Sequence, residues 1–302
     1  MGGETIFAAV RLKAAIASAV LVAAAAGLAG CGSGPRVVVG SKNFAEQLLL
    51  GEIAAQQIER RLNIRVERKL QIGGTMLAHE ALVKGDIDVY PEYTGTALTA
   101  VLKQQVNADP ALVLDEVRSG YKKWGLRWMD PLGFDDTFAM MVTRQDADER
   151  HIHTLSEAGA YSPGWKLGAG YEFVERPDGL AGLKKAYGLK LRENVRTMDL
   201  GLLYAALDQH QVDLAAANFT DGQLSDKKFV ALKDDKHYFP PYQAAFVVRE
   251  ASLQRVPGLE AALKELSGAL TTEEMRNLNH QLEGLHQPGP KVAAEWLARL
   301  KK

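Results

Sequence analysis

Apolar positions in this chain fall into two rhythms, short unbroken runs and longer stretches in which they recur at helical spacing. Val37 to Gly40 is a run of the first kind and predicts a buried strand; Phe44, Leu48, Ala55, Ile58 and Leu62 then mark one face of a helix. A second strand is predicted over Arg65 to Gln71, and a helix on Met76, Leu77, Ala81 and Leu82 that ends at Lys84 and Gly85. Ile87 to Tyr90 reads as a short buried strand. Pro91 lacks a backbone donor, so it is expected to end that strand and turn the chain, with Glu92 to Thr96 opening the next helix. That helix should reach Leu102, and another should run from Asp109 to Trp124. Ala139 to Val142 and Ala244 to Val248 are two further runs, closed by Arg144 and Arg249. Between them, Lys166 to Ala169 and Val195 to Met198 predict strands, and Leu180 to Tyr187 a helix capped by Asp178. The tail reads as helical, with starts at Pro257, Thr271 and Pro288. Strands alternating with helices indicate an α/β fold.

One joint echoes another. Ala206 to Leu214 repeats the helix-then-strand pattern of Ala81 to Val89, and Asn218-Phe219-Thr220-Asp221-Gly222 comes next where Tyr93-Thr94-Gly95-Thr96 stood. The echo fits two lobes facing one cleft; it equally fits the shared grammar of any α/β chain. If the Ala139 and Ala244 runs are the two crossings between lobes, lobe 1 comprises 37–136 plus 242–302 and lobe 2 comprises 137–241. Ligands in such sheets bind past the carboxyl ends of strands, where helix starts offer unpaired donors.

The N-terminus changes the picture of where the protein works. Arg11 and Lys13 precede an apolar run, Ala14 to Gly27, that is short for a membrane span and reads as an export signal over 1–30. Leu28-Ala29-Gly30-Cys31 resembles the bacterial lipoprotein site, at which Cys31 is lipidated and heads the mature chain, with 31–36 as a short leader. It is the only cysteine. The formal charge of −1 becomes about −2 without the signal and argues against a nucleic-acid partner. No HExxH or Gly-x-Ser-x-Gly pattern occurs, and His151-Ile152-His153 reads as a solvated pair, so neither an enzyme nor a metal site is expected.

Candidate binding groups sit at the strand ends. Ser41-Lys42-Asn43 either caps a helix or presents donors to a ligand; Gly73-Gly74-Thr75 at a helix start suits an anion but lacks phosphate-loop spacing. Thr94 and Thr96 can cap a helix and bond a carboxylate at once. Arg176 and Asp178 read as organisers of a turn, Asp221-Gly222 as a tight turn at the cleft edge, and Tyr90, Tyr171, Tyr204 and Phe219 as core or surface residues.

Taken in order, Gly40-Ser41-Lys42-Asn43-Phe44 with Glu46-Gln47, Gly73-Gly74-Thr75, Gly85 to Thr96, Gly133-Phe134-Asp135-Asp136-Thr137, Arg176-Pro177-Asp178-Gly179, Thr220-Asp221-Gly222 and Asp234 to Tyr242 resemble the glycine betaine, choline and carnitine binding proteins of osmoprotectant ABC transporters. The resemblance spans nearly all of Val37 to Leu297. It implies a two-lobed periplasmic-binding-protein fold (type II), a monomer that closes on an osmoprotectant without chemistry or cofactor and hands it to an ABC permease driven by its ATPase.

A quaternary ammonium offers no hydrogen-bond donors, so its recognition needs ring faces, each worth about 0.5–2 kcal/mol. Tyr93 matches a ring of the family's cage, Tyr242 sits where another aromatic is placed, and Phe138 stands where the family has a tyrosine. The usual Asn-Asn-Thr-Tyr is here Asp135-Asp136-Thr137-Phe138, and Asn218 replaces an aromatic, which would leave the cage one ring short at a cost of about 1 kcal/mol or more. Asp136 would either place a carboxylate near the cation or favour a ligand with N–H donors. Lys42 would suit a betaine carboxylate, and Thr94, Thr96, Asn218 and Thr220 supply polar contacts. The alternative is a binding or sensor lipoprotein of this fold for an amino acid, polyamine or other amine.

Overall fold

The computed structural model describes residues 36–300; the predicted signal and Cys31 lie outside them. Ten strands form two five-stranded sheets among these residues. The first contains β1 (Val37–Gly40), β2 (Val66–Lys69), β3 (Val89–Tyr93), β4 (Leu126–Trp128) and, from far along the chain, β10 (Ala244–Arg249), in the order β2-β1-β3-β10-β4. The second contains β5 (Phe138–Thr143), β6 (Leu167–Ala169), β7 (Arg196–Thr197), β8 (Leu214–Asn218) and β9 (Phe229–Leu232), in the order β7-β6-β8-β5-β9. Both sheets have three parallel strands followed by an antiparallel one, β10 or β5, which reaches its sheet from the other. The chain therefore passes between two lobes twice. The two passages pair with each other through an antiparallel bridge between Asp135 and Gln243, a bond from Asp136 N–H to Tyr242 O at 3.1 Å, and one from Tyr242 N–H to Asp135 Oδ2 at 2.9 Å.

The first sheet is covered on one face by the helix Ala45–Leu62, whose Leu49, Leu50, Ile53 and Ile58 are fully buried. Asn63 ends this helix in the left-handed conformation. On the other face pack Thr75–Lys84 and Pro110–Tyr121, the latter capped by Asp109 through Ala111 and Leu112 N–H. The tail helices Thr272–Glu283, capped by Thr271, and Gly289–Arg299 return to the first lobe, where Trp296 is buried. No helix among the described residues is long and apolar enough to cross a membrane.

Three local expectations are corrected. Pro91 does not end its strand: β3 continues to Tyr93, with Pro91 opposite Phe246 of β10. Phe246 gives its carbonyl to Met129 N–H on its other flank, so the missing donor of Pro91 interrupts no bond to β10, and pairing with β1 is confined to Val89. In Thr75–Lys84 the buried face is Thr75, Ala78, His79 and Leu82, whereas Met76 and Leu77 are 43% and 58% exposed; the His79 ring is held edge-on between Tyr121 and Trp124. Asp178 does not cap Leu180–Tyr187, because its carboxylate is taken by Arg176.

Candidate functional site

Residues of both lobes line a cavity of about 780 Å³, a size suited to a small-molecule ligand. Lys42, Tyr93, Thr96, Asp136, Phe138, Asn218 and Tyr242 all face it, so the fold gathers seven of the nine expected side chains; Thr94 and Thr220 stand behind its wall. The cavity arises from how β3 and the second passage meet. A Cβ on Gly95 would come within 2.7 Å of Pro241 O and 2.9 Å of the Tyr242 ring, so only glycine admits this approach. Thr94 fastens it, its hydroxyl donating to Pro241 O at 3.1 Å and accepting from Gln243 N–H at 3.1 Å.

One side of the cavity is built around Arg176, which is buried. Its Nε and Nη2 grip the Asp178 carboxylate at 3.0 and 2.6 Å, Nη1 donates to Thr96 Oγ1 at 2.9 Å, and Nη2 also donates to Tyr242 OH at 3.2 Å. The Tyr242 hydroxyl donates in turn to Asp178. Burial opposes the charge on Asp178, but the Arg176 bonds and charge outweigh it and hold the carboxyl below its ordinary range. The guanidinium carbon lies 5.1 Å from the Phe138 ring centre and 5.4 Å from that of Tyr242, a cation–π arrangement made by the chain itself. Arg176 thus does more than organise its turn; one Nη1 N–H has no partner among the described residues.

Lys42 does not stand ready for a carboxylate. Its Nζ is held by the buried Glu92 at 2.5 Å, with Thr75 Oγ1 at 3.4 Å, and lies 4.8 Å above the Tyr93 ring. The Gly-Gly-Thr helix start also has a partner of its own: Glu172, from the second lobe, accepts from Thr75 N–H at 2.6 Å and from Thr75 Oγ1 at 3.0 Å. Burial pushes the Glu172 carboxyl up, but Lys42 and the Thr75 donors bring it below its usual value.

The opposite side is acidic. Glu46, buried on Ala45–Leu62, accepts from the Tyr93 hydroxyl at 2.6 Å, Thr220 Oγ1 at 2.5 Å and Asn279 Nδ2 at 2.7 Å. Asp136 Oδ1 lies 2.6 Å from the same Thr220 hydroxyl and accepts Thr220 N–H at 3.2 Å. Asp221 and Glu283 complete this wall. Burial raises the carboxyl of Glu46 against the opposing pull of its hydrogen bonds and Lys42; it also raises Glu283 and, strongly, Asp136, and pushes Asp221 up to about 7, these three reinforced by neighbouring acids.

The ring count also differs from expectation. Phe44, Tyr171 and Phe173 line the cavity beside Tyr93, Phe138 and Tyr242, with Phe173 edge-on to Phe138 at 4.9 Å and Phe44 stacked on Tyr93 at 6.3 Å. Asn218 leaves its place without a ring, and Phe219 does not fill it, since Arg276 holds its ring and carbonyl outside. Of the residues that sequence reasoning misses, Glu46 lies within the Gly40-to-Gln47 motif, while Asn279 is signalled only by a polar residue four places after Met275 on a buried face. Arg176 reads as structural in the sequence, and nothing local there marks Glu172 or Glu283.

The sequence profile of the substrate binding domain of the ABC-type glycine betaine transport system matches residues 35–299. The ergothioneine transport permease/ergothioneine binding protein of Helicobacter pylori is 35% identical over 266 residues, which are 87% of this chain and 47% of that protein, so the chain spans about half of its length. The glycine-betaine-binding protein of Pseudomonas aeruginosa is 34% identical over 92% of each chain. A crystal structure of a glycine betaine/carnitine/choline ABC transporter superposes with a TM-score of 0.73 at 32% identity, covering 87% of this chain and 98% of the other. The chain is a two-lobed α/β binding protein and belongs to the family of substrate-binding domains of ABC-type glycine betaine transport systems.

Proposed function

We propose that the protein captures a quaternary-ammonium osmoprotectant of the glycine betaine, choline or carnitine type between its lobes and delivers it to an ABC permease. The observation that carries this reading is the polarity of the cavity. Six rings line it, its two basic side chains are both already paired, and six acidic side chains, Glu46, Asp136, Glu172, Asp199, Asp221 and Glu283, surround it. A ligand cation would lie against Tyr93 and the Glu46–Asp136 wall, and a carboxylate would take the remaining Nη1 N–H of Arg176 beside Thr96. Phe138 and Tyr242 complete the cage by holding Arg176 in place, and Lys42, Thr94, Asn218 and Thr220 act as its supports. Lobe 1 would be 37–136 plus 242–302 and lobe 2 137–241, closing about the paired passages; the closed form, stabilised by ligand that touches both lobes, is the one the permease receives. Lipidation at Cys31 would keep a monomer anchored to a bacterial membrane, in the periplasm or at the cell surface. Titration calorimetry with glycine betaine, choline and carnitine tests this: micromolar binding that Tyr93→Ala removes supports it, and silence across the panel overturns it.

A second reading is favoured by Asp136, whose Oδ2 has no partner among the described residues. An acceptor there suits a ligand that carries N–H donors as well as a fixed charge, as the relative named for ergothioneine would require. Tighter binding of such a betaine than of glycine betaine, lost in Asp136→Ala, would select it.

A further inference from the structure

The Thr220 hydroxyl presents an accounting problem. It has one hydrogen, yet it lies 2.5 Å from Glu46 Oε2 and 2.6 Å from Asp136 Oδ1. Two ionised carboxylates offer only acceptors, so one of these contacts would set lone pair against lone pair. Both are attractive only if one carboxyl is protonated and donates to Thr220 Oγ1 while the hydroxyl donates to the other. The three groups come from different parts of the chain: Glu46 from the first lobe, Asp136 from the first passage, and Thr220 from the loop after β8 in the second lobe.

We propose that the ligand-free protein holds one proton shared between Glu46 and Asp136 through the Thr220 hydroxyl, and that capture of a cation in the cavity expels it.

The surroundings favour the proton. Asp221 and Glu283 are further acids beside the pair, which oppose its full ionisation as they themselves ionise, and the Tyr93 and Tyr204 hydroxyls are buried and neutral beside it. The cation acting on Glu46 is Lys42, whose ammonium is held by Glu92. Asn279 Nδ2 donates to Glu46 Oε2 and to Thr220 O at 2.9 Å, so it binds the pair to the tail helix without supplying charge. A quaternary ammonium entering beside Tyr93 brings the positive charge that lets both carboxylates ionise, and the proton leaves to solvent. Cation and proton therefore compete for one site. Affinity falls on the acid side of the pair's titration, by about tenfold per pH unit for one proton displaced.

The inference rests on the reading that the ligand is a cation, and the test separates the two. Infrared difference spectra of the ligand-free protein between acid and alkaline pH should show, beside the band of neutral Asp221, the carbonyl stretch of a second protonated carboxyl, absent from both Asp136→Asn and Glu46→Gln, since each amide can itself donate to Thr220. Calorimetry of the wild type with glycine betaine and carnitine, in two buffers of different ionisation enthalpy on the acid side of neutrality, should show release of about one proton per ligand. Buffer-independent heats overturn the exchange, and a missing second band, or a second band that survives both substitutions, overturns the shared proton. If either variant fails to fold, the other and the wild-type calorimetry still decide. If no betaine binds, the functional reading falls and the exchange falls with it, while the band still decides the proton.

Discussion

At the end of Thr75–Lys84 the Ala81 carbonyl accepts from Asp86 N–H at 2.9 Å and Ile87 N–H at 3.4 Å; at the end of Leu203–Asp208 the Ala206 carbonyl accepts from Gln211 N–H at 2.9 Å and Val212 N–H at 3.3 Å. Asp88 then bonds Val38 N–H through its carboxylate, and Asp213 does the same to Lys166 N–H. The two joints are one piece of architecture used twice, about 125 residues apart in sequence. Their continuations diverge. The first opens into Tyr93, pointed at the cavity, and the second into Asn218 and Asp221 on the acidic wall, with Phe219 turned away. Backbone geometry is shared between the two joints, and what each presents to the cavity is decided by the side chains that follow.

The largest asymmetry should appear on removing the two aspartates. Asp88 is buried and also binds Ser252 Oγ and, at 2.7 Å, Arg255, so Asp88→Ala should cost about 3 kcal/mol in denaturant unfolding, against about 1 kcal/mol for the half-buried Asp213→Ala. Equal losses would mean that the first joint is no more committed than the second. In ligand binding, Tyr93→Ala should lose at least about 2 kcal/mol, and Phe219→Ala less than about 0.5 kcal/mol, by calorimetry. A comparable loss at Phe219 would place it in the cage after all.

Acidity separates the joints in a third way. Asp221 is raised from 3.8 to about 7, so its neutral form belongs to the folded state. Its contribution is complete below the ordinary aspartate range and is lost as pH rises through about 7. Stability tracked across that window should decline with pH, and Asp221→Asn should flatten the slope while Thr96→Ser, at the matching place of the first joint, leaves it. The smallest effect concerns the turn itself. Gly85 has φ 86° with Arg249 against it, whereas His210 takes φ 53° with a side chain. Gly85→Ala should cost about 1 kcal/mol, and His210→Gly should gain about 0.5 kcal/mol in thermal unfolding.

The echo between the joints is visible in the sequence because both use the same run of apolar residues between polar ones. Family and fold are legible too, since seven ordered motifs lie along one chain. Less legible is anything decided across the cleft. Lys42 looks like a free cation until Glu92, 50 residues on, is seen to hold it. Arg176 looks like a turn residue until β10's approach brings Tyr242 against it, and the Glu172 contact to Thr75 joins residues 97 apart. Pro91 misleads for a related reason: a proline breaks a strand only where its donor is needed, and the register that makes it unneeded is set by β10, far along the chain.

The paired passages have a mechanical consequence. Asp136 and Tyr242 belong to both the cavity wall and the Asp135–Gln243 bridge. If the lobes close as proposed, a solute seated against them would touch the axle of that movement and not only its jaws. Its girth at that point would then translate into an angle between the lobes, magnified toward the rim. On this geometry two solutes of equal affinity but different thickness would leave the rims at different separations, and the partner that reads the rims could tell them apart without ever meeting the solute.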